Sequence, residues 1–125
     1  MTSISSPHTR SYHPAAQRFV LESLRYIQEQ LGRDRGSDKS GHISGPELLE
    51  GVRQLGIQRY GMLCPTVFRK WNVLSTADFG HIVFRMIEDG EMRKTPEDSL
   101  DDFHDVYDFD RVFIEEYDPE NTAVV

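Results

Sequence analysis

Apolar residues recur at steps of three and four along the chain as far as Gly90, the pattern of helices that bury one face. The first such stretch runs from about Pro14 to Leu31, and its apolar positions are Phe19, Val20, Leu24, Ile27 and Leu31. Proline is favoured in a first helical turn, and Gly32 is typical of a C-terminal cap. The pattern predicts one amphipathic helix here.

A second helix is predicted from its start signals. Ser44 suits the N-cap, Pro46 suits the first turn, and Glu47 stands three residues after Ser44, which completes a capping box. Its apolar stripe comprises Leu48, Leu49, Val52 and Leu55. Gly51 and Gly56 each cost a helix about 1 kcal/mol relative to alanine. Their presence indicates that another helix approaches closely.

Two further helices follow a break at Pro65, which has no N–H to donate and crowds the preceding turn. The third helix runs to Asn72 and carries Val67, Phe68 and Trp71 as its apolar residues. The fourth begins with a second capping box, Ser75 with Asp78, and ends at Gly90. Its apolar side comprises Phe79, Ile82, Val83, Met86 and Ile87.

Residues beyond Gly90 contain further signals for the start of a helix. Thr95 as a cap, Pro96 and two acids predict another helix, with Leu100, Phe103 and Tyr107 on its apolar side. The apolar cluster between Phe109 and Tyr117 predicts a short terminal helix that folds back on the body.

Together these elements predict an all-α fold, a compact bundle of four main helices plus a short C-terminal helix, with at most a minor β pair. We expect residues 1–13 to form a flexible arm, residues 14–117 a single helical domain, and residues 118–125 a frayed tail. The predicted core comprises Phe19, Leu24, Leu49, Val52, Leu55, Phe68, Trp71, Phe79, Ile82, Val83, Phe103 and Phe113.

Composition indicates the number of domains and the cellular compartment. A chain of 125 residues is one domain's worth. Its lone cysteine, Cys64, can form no internal disulfide, which is typical of a reducing compartment. No stretch approaches the roughly 20 apolar residues of a membrane helix, and the first residues lack the apolar block of a signal peptide. These features predict a cytoplasmic protein that is not associated with membranes.

Charge is distributed unevenly. Residues 97–120 contain eleven acids and one base, a net charge of −10 in a chain whose total is −7, so the remaining residues carry +3. Aromatic residues interleaved with charge are typical of protein interfaces. The predicted interaction surface therefore comprises Asp101, Asp105, Tyr107, Asp108, Phe109 and Asp110. We expect a non-enzymatic interaction or regulatory module, with a protein partner or self-association.

The stretch His42–Arg53, the Trp71–Val73 turn, the Asp78–Phe84 helix and the closing Tyr107–Phe109 resemble a small family of bacterial proteins. That family is found largely in planctomycetes and verrucomicrobia, and no activity is established for it. The resemblance covers about residues 16–113 and implies a stand-alone bacterial cytoplasmic protein. It implies no catalytic residue.

Residues 36–47 offer an alternative function, because their spacing is similar to a calcium-binding loop of the EF-hand type. Asp38, Ser40 and Glu47 fall at positions 3, 5 and 12 when Gly36 is position 1. Position 1 ordinarily supplies a carboxylate, and here it is glycine. Because the capping box already explains Glu47, a capped linker is favoured over a metal site, and no metal or other cofactor is predicted.

A second acidic pattern could hold a transition metal. Asp101, His104, Asp105 and Asp108 would share one face of a helix, and carboxylates with histidine are metal ligands. A solvated stripe is the favoured interpretation, because only one histidine is present. Cys64 has no histidine at a spacing that indicates a catalytic dyad, so it is interpreted as a packed residue and no enzyme is predicted.

Nucleic-acid binding is the remaining alternative. The second, third and fourth helices form a run of the length that a helix-turn-helix domain uses. The basic residues around them are Arg53, Arg59, Arg69, Lys70, Arg85, Arg93 and Lys94. Binding to DNA depends largely on neutralising phosphates, and the acidic C-terminal region opposes it. That region would then be autoinhibitory, and nucleic acid is not the favoured partner.

Overall fold

The computed structural model describes residues 11–33 and 42–118. Within these ranges the chain forms four α-helices: α1 (Pro14–Gln30), α2 (Gly45–Tyr60), α3 (Cys64–Lys70) and α4 (Thr76–Glu88). Two 3-10 turns, Gly61–Leu63 and Leu100–Phe103, and one π-helical turn, Arg111–Glu115, complete the regular structure. No strand occurs in the described ranges, and the predicted all-α bundle is confirmed.

The helices begin where their capping residues stand. At the start of α2, the Ser44 hydroxyl accepts from the Glu47 N–H at 3.2 Å and the Glu47 carboxylate accepts from the Ser44 N–H at 3.0 Å. This is the predicted capping box. At α4, one oxygen of Asp78 accepts from the N–H groups of Leu74 at 2.7 Å and Ser75 at 3.2 Å. Both predicted helix starts are confirmed.

The glycines of α2 lie where the helix meets its neighbours. A Cβ added at Gly51 would stand 2.8 Å from the backbone oxygen of Ser23 in α1, and one added at Gly56 would stand 2.8 Å from the sulfur of Cys64 in α3. Neither space admits a side chain without movement of a neighbour. The predicted close approach is confirmed, and the glycines let α1 and α3 pack directly on the α2 backbone.

Helix α2 ends at the predicted break. Gly61 adopts a positive φ of 53°, a conformation that other residues rarely adopt, and a single 3-10 turn leads into α3. Pro65 stands in the first turn of α3, where its missing N–H has no partner to lose. The junction therefore turns the chain without leaving a helical hydrogen bond unmade at the proline.

The core is centred on Phe68, which is fully buried. Its ring centroid lies 5.1–5.6 Å from five other aromatic rings, those of Phe19, Trp71, Phe79, Phe109 and Phe113. Every residue of the predicted core is buried except Leu24, which is half-buried and packs against the core from its edge. The contacts of Phe68 thus bring rings from α1 and α4 together with rings from the C-terminal part of the chain.

Residues 11–13 are packed on the body, contrary to the prediction of a flexible arm that extends to residue 13. The His13 N–H donates to the Trp71 carbonyl at 3.2 Å, and the Asn72 side chain donates to the Ser11 carbonyl at 2.8 Å. The Nδ1 atom of His13 also accepts from the Ala15 N–H at 3.0 Å, which caps α1. Residues 1–10 and 119–125, where the rest of the predicted arm and most of the predicted tail fall, lie outside the described residues.

Residues 95–118, called here the C-terminal segment, do not form the helix predicted from Thr95. Only one 3-10 turn forms, after which His104 is extended and Asp105 has a positive φ of 52°. The reason is local competition: the Asp98 side chain accepts from the Thr95 N–H, and the Asp102 side chain accepts from the Ser99 N–H. Aspartate bonds of this kind favour turns over continuous helix.

The C-terminal segment is fastened to α2 and α4 by Phe103. A Cβ added at Gly80 of α4 would stand 2.7 Å from the Phe103 Cβ, and one added at Gly45 of α2 would stand 2.9 Å from its ring. The Thr76 hydroxyl donates to the Phe103 carbonyl at 2.7 Å and accepts from the Val106 N–H at 3.1 Å. The segment is thereby held in one position on the helices.

Candidate interaction surface

The predicted surface retains its four carboxylates in the structure. Asp101, Asp105, Asp108 and Asp110 are all exposed. Asp108 also has a structural role, because one of its oxygens accepts from the Arg111 N–H at 3.0 Å at the start of the last helical turn. The segment therefore presents fixed negative charges to solvent.

The two aromatic residues of the predicted surface point inward instead, which corrects that part of the prediction. Phe109 is 7% exposed and its ring centroid lies 5.2 Å from that of Phe68. The Tyr107 hydroxyl donates to the Leu49 carbonyl at 2.6 Å, and its burial raises the pKa of this hydroxyl. The physical reason is that residues 106–108 form no helix, so the exposed Val106 and Asp108 alternate with Tyr107 and Phe109, which face the core.

A groove runs beside these carboxylates, with a volume of about 140 Å³. It lies between the end of α3, the loop that follows α3, and the start of the last helical turn. Its lining residues are Pro65, Arg69, Val73, Leu74, Asp108, Phe109 and Asp110. Pro65, Val73 and Phe109 are buried and form an apolar floor, whereas Leu74 is 55% exposed at the edge. We call this feature the Leu74 groove.

The polar part of the Leu74 groove has both signs of charge. Arg69 stands in the last turn of α3 and its guanidinium donates to the Thr66 hydroxyl at 3.3 Å. Asp108 and Asp110 come from the C-terminal segment. The groove therefore combines apolar contact with two acceptor groups and one donor group, the mixture found at sites that orient a polar ligand.

The calcium-like loop can be judged only at its last position, because Asp38 and Ser40 lie outside the described residues. Glu47 accepts from the Arg33 guanidinium at 2.7 Å and from the Ser44 N–H at 3.0 Å. The hydrogen bond from Arg33 holds the pKa of the Glu47 carboxyl below its ordinary value. Glu47 has the capping role that the sequence indicated, with a cation already beside it.

The pattern of Asp101, His104, Asp105 and Asp108 does not form a shared helical face, because no helix continues past Phe103. In the described part of the chain, no group of three or more histidine, cysteine or acidic side chains is arranged to hold a metal ion. The prediction of one acidic face on a helix is therefore wrong.

Several basic residues considered for nucleic-acid binding are engaged within the protein. Arg53 forms an ion pair with Glu50, and Arg59 forms one with Glu22. The Arg85 guanidinium carbon lies 5.8 Å from the centroid of the Tyr12 ring. The two ion pairs reduce the positive charge that α2 displays.

Cys64 is fully buried, as its interpretation as a packed residue requires. Burial raises the pKa of its thiol, which keeps the sulfur protonated and poorly nucleophilic at neutral pH. Its sulfur fills the space that Gly56 leaves open on α2.

Sequence reasoning missed a polar cluster at the start of α4. The Tyr12 hydroxyl donates to Asp78 at 2.7 Å and lies 3.3 Å from Nδ1 of His81, which in turn lies 3.7 Å from Asp78. Asp78 is 3% exposed, so these contacts satisfy a buried carboxylate. The i, i+3 spacing of Asp78 and His81 was visible in the sequence, but no local pattern pointed to Tyr12, 66 residues earlier.

None of the helices in the described ranges is long and apolar enough to cross a membrane. Comparison with known proteins finds no matching family model, no matching curated protein and no matching solved structure.

Proposed function

We propose that this protein is a non-enzymatic interaction or regulatory module whose C-terminal segment binds a basic region of a partner protein. The observation that supports the proposal is that phenylalanine and charged side chains of that segment face opposite ways. Its three phenylalanines, Phe103, Phe109 and Phe113, are buried in the core, while Asp101, Asp105 and Asp110 are exposed. The residues between 97 and 120 carry a net charge of −10.

The way the segment is held supports a binding role. Phe103 fits against Gly80, and Thr76 makes two hydrogen bonds to the segment backbone. A surface whose backbone is already ordered loses little conformational freedom when a partner binds. The exposed carboxylates are therefore presented in a fixed arrangement rather than on a mobile tail.

The negative charge of the segment indicates what kind of surface a partner would have. A concentrated negative surface attracts positive surfaces and repels acidic ones, and this affects the rate of association and the choice of partner most strongly. Charges at a surface are screened over about 8 Å at physiological ionic strength. We therefore infer an association that weakens as salt is added. The proposal places the protein in the bacterial cytoplasm, as the family resemblance implies.

The test compares the full chain with two variants that lose equal charge. The first, Asp101→Asn with Asp105→Asn and Asp110→Asn, neutralises the exposed segment while leaving the capping carboxylates of Asp102 and Asp108 in place. Extracts of the native host are passed over each immobilised protein at low and moderate salt. A stoichiometric partner that the full chain retains, and that this variant loses, is the expected result.

The control variant carries Glu29→Gln, Glu88→Gln and Asp89→Asn, three acids exposed elsewhere. Glu29 lies near the end of α1, whereas the start of that helix bonds to Trp71 near the groove. At 1.5 Å per residue the two ends of α1 are roughly 24 Å apart. Equal retention by both variants, or self-association of the pure protein with no stoichiometric partner, would contradict the proposal.

A further inference from the structure

We propose that the Leu74 groove receives one arginine or lysine side chain of the partner, with its aliphatic stem on the apolar floor and its charged head against Asp108 and Asp110. This inference rests on the proposed function and names the part of the acidic surface that makes the specific contact. It is carried by the shape and lining of the groove.

The floor suits an aliphatic stem. Val73 is fully buried and closes the base, Phe109 is 7% exposed, and Leu74, which is 55% exposed, supplies most of the apolar surface beside the groove. Long basic side chains bury their methylene stems along apolar surfaces while the charged end stays near water. Short polar side chains would leave this floor uncovered.

The carboxylates suit the charged head. An ionised carboxylate has about four acceptor positions on its two oxygens, and the Asp108 bond to the Arg111 N–H uses one of them. Asp110 is exposed two residues further along. Hydrogen bonds between a guanidinium or ammonium group and a carboxylate are stronger than neutral ones. The two carboxylates in the lining therefore provide acceptors for the charged head of the side chain.

The size of the groove is consistent with a single side chain. Its volume of about 140 Å³ is roughly ten times the 10–15 Å³ that a cavity needs to hold one water molecule. A whole helix, with a diameter of about 10 Å, could not enter it.

The positive charge of Arg69 repels an incoming cation. Whether removal of that charge strengthens or weakens binding therefore tests the proposal. The Arg69 guanidinium lines the same groove and bonds to Thr66 rather than to a carboxylate of the groove. A second cation placed beside Asp108 and Asp110 is repelled by Arg69 or competes with it. Removal of the Arg69 charge should therefore strengthen binding, an effect that a purely structural role of Arg69 would not produce.

The experiment is an NMR titration of the full chain with a short acetylated peptide amide that contains one arginine among glycines. The matched peptide carries norleucine in its place, which has an aliphatic stem without charge. For the arginine peptide we expect saturable shifts of the Leu74 methyl resonances that the norleucine peptide does not reproduce. Absence of such shifts overturns the groove assignment.

Three variants separate the groove from the general acidic surface. Asp110→Asn should weaken binding of the arginine peptide roughly two- to five-fold, the usual size for one exposed charge pair. Asp101→Asn removes the same charge from the same segment outside the groove lining and should leave binding nearly unchanged. Arg69→Gln should strengthen it by a similar factor.

The outcomes are distinguishable. Equal weakening by Asp110→Asn and Asp101→Asn, with no gain from Arg69→Gln, overturns the groove assignment and leaves the proposed function standing. If the partner captured in extracts is also indifferent to the triple neutralisation, the proposed function fails as well.

Discussion

Two regions of this protein contain the same kinds of residues but form different secondary structure. The helical body, residues 14–88, has apolar residues at helical spacing and forms α-helices of up to 17 residues. The C-terminal segment, residues 95–118, also has start signals and is richer in aromatic residues, yet it forms only a four-residue 3-10 turn and a five-residue π-helical turn. The difference lies in what the acidic side chains do.

In the body, a capping acid begins a helix and the chain then continues without competition. Glu47 and Asp78 each serve one helix start. In the C-terminal segment a new capping acid follows every few residues, as at Asp98, Asp102 and Asp108. Each begins a turn, and the next interrupts it. Repeated start signals therefore indicate a chain of turns, which relies on the body for its position.

The largest loss of stability is expected when Phe68, which contacts both regions, is replaced. Phe68→Ala removes the ring that contacts Phe19 and Phe79 of the body and Phe109 and Phe113 of the segment. The lost burial and the cavity left behind should lower the free energy of unfolding by about 3–5 kcal/mol. Chemical denaturation followed by far-UV circular dichroism and by tryptophan fluorescence measures the loss.

The same experiment asks whether body and segment unfold together. Trp71 reports on the body, and its ring centroid lies 5.5 Å from that of Phe68. Ile114→Ala, at a site 41% exposed, serves as the control and should change stability by less than about 0.5 kcal/mol. Two separated transitions in the unmutated protein would show that the segment is not part of one cooperative unit.

A smaller effect is expected where the segment bonds to α2. Tyr107→Phe deletes the hydroxyl that donates to the Leu49 carbonyl, and it should cost about 1 kcal/mol of stability. The matched control is Tyr117→Phe in the same segment, where the ring lies against Gly61. The comparison is read from denaturation midpoints. A neutral Tyr107→Phe variant would mean that this hydrogen bond does not help to hold the segment on α2.

The smallest effects compare one cap from each region. Ser44→Ala removes the hydroxyl that caps α2, a 16-residue helix, and should lower stability by about 1 kcal/mol. Ser99→Ala removes the hydroxyl that accepts from the Asp101 N–H, an exposed bond in a four-residue 3-10 turn. It should cost only about 0.3 kcal/mol, because the buried Phe103 still holds the turn in place. Thermal melts of both variants give the ranking. Equal losses of stability in the two variants would contradict the proposed difference between the body and the C-terminal segment.

Local signals predicted the body well because its helices are set by neighbouring residues. The capping boxes at Ser44 and Ser75, and the close contacts at Gly51 and Gly56, are found where the spacing placed them. The same signals misled at Thr95, because a capping motif indicates where a turn begins and carries no information about how long it continues.

The candidate site was predicted less completely. The exposed carboxylates of the C-terminal segment follow from its composition, since ionised groups stay in water. The inward direction of Tyr107 and Phe109 does not, because it depends on residues 106–108 forming no helix. The Leu74 groove was invisible in the sequence, since two distant stretches of the chain, residues 65–74 and 108–110, line it together.

The sequence by itself determined the helix starts, the glycine contacts and the separation of charge, because each depends on residues only a few positions apart or on composition. Tertiary structure alone decided which aromatic residues complete the core and which carboxylates stand beside an apolar floor. Phe103 reaches Gly45 and Gly80 across long stretches of chain, and Phe68 gathers rings from both regions. Such contacts form only when the whole chain has packed, since burying these rings requires surfaces from several elements at once.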